Sequence, residues 1–70
     1  MNVDELRRAL RDDPFRPFRL RMRSGEVYDI PEIGRMALAP GGTQAVVYVE
    51  DSIRFIDPRE AVALELMEAH

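Results

Sequence analysis

Asp13-Pro14-Phe15-Arg16-Pro17-Phe18 divides two stretches of different hydrophobic period, and that change of period decides the fold. Downstream, Phe18-Arg19-Leu20-Arg21-Met22-Arg23-Ser24-Gly25 alternates strictly, so Phe18, Leu20 and Met22 share one face of a strand and Arg19, Arg21 and Arg23 the other. Upstream, Val3, Leu6 and Leu10 recur at helical spacing behind Asn2, a capping residue with Glu5 three positions on. A helix is predicted over about residues 2–12, ending where Pro14 turns Asp13 away from helical angles. A helix this short is marginal alone, so its apolar face must dock on the sheet that follows. Pro14 and Pro17 enforce an extended connection, and Phe15 and Phe18 are read as filling the space between helix and sheet.

Beyond Gly25, the pattern predicts a second strand over 26–39 bent at Pro31, because proline cannot donate to a ladder. Pro40-Gly41-Gly42 is the strongest turn signal, followed by a β-branched strand over 44–50. Glu50-Asp51-Ser52 reads as a polar turn before a strand over 53–57. Asp57-Pro58-Arg59-Glu60 carries the signature of a helical start, a cap followed by proline and glutamate. Ala61 to Met67 consists of good helix formers, yet Val62, Leu64 and Leu66 alternate as in a strand. A single helical turn followed by a closing strand over 61–67 leaves fewer exposed edges, and that reading is preferred. The predicted class is mostly β with a short N-terminal α-helix, as a small five-stranded bent antiparallel sheet or barrel in one domain, residues 1–70.

Composition narrows the function. A chain of 70 residues buries only about 60% of the surface its unfolded form exposes, so its stability margin is thin. There is no cysteine for a disulfide, a thiolate metal site or a nucleophile, and the lone histidine, His70, sits at a terminus where a catalytic base is poorly held. Self-association is the remaining way to add buried surface. With 33% charged and 46% apolar residues, no spanning apolar run and no secretion-signal pattern, the chain reads as globular and cytoplasmic, without membrane contact. Residues 1–23 carry a charge of +3 and residues 24–70 a charge of −6, and every basic residue is arginine.

No constellation points to catalysis, a cofactor or a metal. The carboxylate pairs Asp12-Asp13, Glu50-Asp51 and Asp57/Glu60 suit helix stops, turns and caps, and Gly41-Gly42 lacks the lysine and strand-to-helix setting of a phosphate loop. The chain is expected not to be an enzyme. Two surfaces are candidates for binding. Arg16, Arg19, Arg21 and Arg23 form a basic face suited to RNA or to an acidic protein. Val46, Tyr48 and Ile56 alternate out of phase with Val47, Val49, Ile53 and Phe55, and are predicted to face outward as an oligomer interface. The expected function is a non-enzymatic binding or assembly module acting through self-association or a protein partner, with RNA binding as the alternative.

The order of short helix, Arg-striped strand, bent second strand, glycine-turned third, fourth strand, helical turn and closing strand resembles the Sm-like (SH3-like) small barrels, to which the bacterial hexameric RNA chaperone belongs. Pro14-Phe15-Arg16-Pro17-Phe18 and Ser24-Gly25 are also similar to the lead-in and turn of a group of small bacterial proteins to which no activity attaches. The Sm-like resemblance implies ring oligomers and binding of uridine-rich or adenine-rich RNA. Where those proteins carry an Asp/Asn loop and a basic pair, this chain has Ala39-Pro40-Gly41-Gly42 and Asp57-Pro58-Arg59-Glu60, and acidic groups there oppose phosphate.

Overall fold

A computed structural model describes residues 1–67. His70, expected to be poorly held at its terminus, lies outside the described residues.

Helix α1 (Val3–Arg11) starts where the Asn2 side chain accepts from the backbone N–H groups of Asp4 at 2.7 Å and Glu5 at 3.3 Å. Asp4 and Glu5 occupy its positive end and Arg8 and Arg11 its negative end. Leu6 is fully buried. Docking is fixed at the Pro40–Gly42 turn, where Arg7 Nη2 donates to the Pro40 carbonyl at 3.2 Å. Gly42 has φ +75, and a Cβ there would lie 3.2 Å from Val3 Cγ1. Only glycine serves both the left-handed backbone and the close approach of the helix.

The first sheet has strand order β2-β1-β6, all antiparallel. Strand β1 (Phe18–Met22) lies in the middle, between β2 (Val27–Ile30) and β6 (Ala61–Leu66). Phe18 pairs with Ile30 on one side and Leu66 on the other, and Leu20 with Tyr28 and Leu64. Phe18, Leu20 and Ile30 are fully buried, as the alternation predicts. The ring of half-buried Phe15 tilts over Phe18 at 5.9 Å between centroids, so the connection packs in the core. A register shift between Arg21 and Met22 marks where β6 begins.

The second sheet has order β3-β4-β5, an antiparallel meander of β3 (Met36–Leu38), β4 (Ala45–Val49) and β5 (Ser52–Ile56). Its inner face supplies Met36, Ala45 and Val47 to the core. A single 3-10 turn, Pro58–Glu60, capped by the Asp57 side chain, then carries the chain back to the first sheet as β6. Residues 61–66 are a strand, so the helical propensity of Ala61 to Met67 yields to pairing with β1.

Two expectations are corrected. The single strand predicted over 26–39 is two strands in different sheets, because the chain leaves the ladder at Pro31 and turns at Gly34, with φ +92, before re-entering at Met36. The five-stranded sheet or closed barrel is replaced by two three-stranded sheets, with no strand pairing between them among the described residues.

Candidate interaction surface

Arg19 and Arg21 lie on the outer face of the first sheet, with Arg23 just beyond the end of β1, and an acid sits beside each of these three. Arg19 sits directly opposite Asp29 on β2, and its Nε donates to the Asp29 carboxylate at 2.7 Å. Arg21 Nε donates to Glu65 on β6 at 2.7 Å, and Arg23 Nε to Glu60 at 2.9 Å. Exposed pairs of this kind add little to stability, but they cancel the field of the stripe. Arg16 is exposed and has no ion-pair partner among the described residues. An open groove of about 540 Å³ runs from Arg19, Arg21 and Asp29 to Arg35, Tyr48 and Glu50, and within it Arg35 is held by Glu32 at 3.0 Å.

The pairing has a pH signature. The hydrogen bond from Arg19 holds the Asp29 carboxyl below the usual carboxylate range. Its folded value is therefore lower than its unfolded one, so the stabilisation is complete above about pH 3.9 and is lost as pH falls through the lower folded value. An NMR titration should find the Asp29 carboxyl titrating below about 3.9 and returning to that value in Arg19→Gln. An Asp29 titration indifferent to Arg19→Gln would show that the pair does not persist in solution. Burial, reinforced by the 2.8 Å hydrogen bond to Glu26, pushes the Tyr28 hydroxyl up.

The second sheet does carry an exposed apolar face, but its membership differs from the one expected. Val46 lies opposite Phe55 and Tyr48 opposite Ile53, so these four side chains share the outer face of the second sheet. Phe55 is 82% exposed, Ile53 52% and Tyr48 44%, while Val46 is half-buried. Ile56, expected beside Val46 and Tyr48, pairs instead with buried Ala45 and packs against the core. Phe55 and Ile53, expected inside, take its place. The turn between β4 and β5 is the cause: it has two residues, Glu50 and Asp51, closing on Val49↔Ser52 rather than the three expected. One residue fewer inverts every side chain of β5. Glu50 takes φ 54 to make this turn, without the Asn-Gly or Gly-Gly pair that would announce it in sequence.

β5 is also an open edge, bonded to β4 and to no other strand among the described residues. A two-residue turn makes Val49↔Ser52 a hydrogen-bonded pair, and alternation then directs the backbone groups of Ser52, Arg54 and Ile56 to β4. The N–H and C=O groups of Ile53 and Phe55 consequently point outward from the sheet edge. Nothing in the strand blunts it: there is no proline or lysine, and its single charge, Arg54, lies on the opposite face, 3.7 Å from Glu26.

No helix among the described residues is long and apolar enough to cross a membrane. No group of three or more His, Asp or Glu among them is placed to hold a metal ion. No protein-family model, curated protein or solved structure matches the chain.

Proposed function

We propose that this chain is a non-enzymatic binding and assembly module that works through protein–protein contacts, with self-association at the open β5 edge. The observation that carries the reading is Phe55, 82% exposed on an uncovered strand whose neighbouring Ile53 faces the same way. An apolar patch that is continuous with unpaired backbone donors and acceptors marks a contact surface in a monomer this small. The order of elements, with β6 returning to β1 after a 3-10 turn, supports a small-barrel layout of Sm-like or SH3-like kind, left open between its two halves. RNA binding through the arginine face has less support, since three of its four arginines are neutralised by Asp29, Glu65 and Glu60.

Light scattering after size exclusion tests the proposal across a concentration series into the high micromolar range. The expected mass rises above the 8.1 kDa of one chain as concentration increases. A mass fixed at one chain throughout would remove self-association as the function of this edge.

A further inference from the structure

We propose that the partner at the β5 edge is a second copy of this chain, added antiparallel about a two-fold axis at Arg54, so that two three-stranded sheets become one of six strands. This rests on the assembly reading and specifies its geometry.

Of the two-fold arrangements that keep the outer face of β5 outward while setting two copies of the strand side by side, three centre on residues 53 to 55, and they differ in which residue faces itself. With Ile53 on the axis, Phe55 lies opposite Asp51 of the partner subunit. With Phe55 on the axis, Ile53 lies opposite Asp57 of the partner subunit. With Arg54 on the axis, Ile53 lies opposite Phe55 of the partner subunit and Phe55 opposite the partner's Ile53. Only this last register matches both exposed apolar side chains, as two aromatic–β-branched pairs of the kind that stabilise sheets. It also uses the backbone groups that point outward, giving four new ladder hydrogen bonds from Ile53 and Phe55 of the two copies.

The like charges that this register brings together are partnered within their own chains. Arg54 meets its own copy on the opposite face, where each guanidinium has Glu26 at 3.7 Å, so the junction holds two cations and two anions. At either end Asp51 faces Asp57 of the partner subunit. Within each chain the Arg59 guanidinium lies 2.7 Å from the Asp57 carboxylate, supplying the cation this contact needs. The Arg59 hydrogen bond holds the Asp57 carboxyl below its ordinary range, as expected for a carboxylate already partnered.

The register can be read by cysteine scanning, because the natural chain has none. Residues on the axis at Arg54 form a non-hydrogen-bonded pair with Cα atoms about 4.5 Å apart, within disulfide range, while residue 53 and its own copy lie beyond about 7 Å. The variants Ile53→Cys, Arg54→Cys and Phe55→Cys of this chain are oxidised at a concentration where the unmodified chain self-associates. Arg54 is exposed, so its replacement leaves the core intact. The expected result is a covalent dimer from Arg54→Cys at least tenfold more abundant than from the other two. Preferential cross-linking through position 53 or 55 would overturn the register. Self-association without cross-linking at any of the three would overturn two-fold pairing at β5 and leave the assembly reading standing. No self-association would remove both. Phe55→Pro supplies the complementary measurement, since the N–H it deletes points away from β4. The variant should keep its fold by circular dichroism and lose dimerisation at least tenfold, and an undiminished dimer would contradict strand pairing.

Discussion

Phe18→Ala should remove about half or more of the domain's stability at room temperature. Phe18 is fully buried at the centre of the first sheet, between Ile30 and Leu66 and under the Phe15 ring. Truncating a buried phenylalanine costs about 3–5 kcal/mol, the lost transfer energy plus that of the cavity left behind. A domain of this length holds roughly 4–10 kcal/mol in total. Urea titration followed by far-ultraviolet circular dichroism should therefore show the midpoint falling by about half or more. Phe15→Ala, at a half-buried ring, should cost about 1–2 kcal/mol by the same bookkeeping. The ratio between the two is diagnostic: equal effects would mean that the two rings form a single unit, and no effect from Phe18→Ala would place the core elsewhere.

Phe55→Asp should do the reverse, leaving the fold in place and abolishing assembly. The side chain is 82% exposed and faces away from the core, so the cost to the protomer is the lost pairing with Val46, about 0.2–1 kcal/mol. At the edge the same change sets a carboxylate where an apolar partner is needed, and in a symmetric pair it does so twice. Two penalties of about 1.4 kcal/mol each weaken association about a hundredfold. Sedimentation equilibrium beside thermal melts separates the two effects. A large fall in melting temperature would show that Phe55 belongs to the core. Unchanged association would show that the edge is idle.

How far the sequence could be read depends on whether a residue's neighbours along the chain decide its environment. β1 was legible because one face is wholly apolar and the other wholly charged, and only one orientation buries Phe18, Leu20 and Met22. The cap at Asn2 and the proline-started turn at Asp57 are local hydrogen-bonding devices, and both are where they were expected. Register was not legible. Asp29, Glu65 and Glu60 neutralise the arginines only because β2, β6 and the 3-10 turn lie beside β1 in one particular alignment. Alternation of Asp29 with apolar Tyr28 and Ile30, opposite an arginine stripe across a glycine turn, was the signal that could have paired Asp29 with Arg19.

The inversion of β5 has the same origin on a smaller scale. Whether Ser52 belongs to the turn or to the strand decides whether Ile56 or Phe55 faces outward, and residue preferences do not separate the two, because Glu50 takes an unusual backbone angle that its side chain does not advertise. Pro31 shows the complementary limit: proline announced an interruption of the ladder, but the size of the departure depends on the packing of the two sheets, which no local pattern encodes.

The position of β1 between β2 and β6 carries a kinetic consequence. Every pairing in the second sheet closes a short loop, since β3, β4 and β5 follow one another from residue 36 to residue 56. β1 and β2 are also near neighbours in the chain, but Phe18 and its β6 partner Leu66 lie 48 positions apart (66 − 18) in a chain of 70 residues. Loop-closure entropy must be met before so distant a pair is rewarded, which makes the docking of β6 the slow event of folding. Until it occurs, one flank of the arginine strand has its backbone unpaired and Glu60 and Glu65 are far from Arg23 and Arg21. The arginine face is thus at its most basic and most adhesive before the domain is finished, and the last strand to arrive both closes the sheet and neutralises that face.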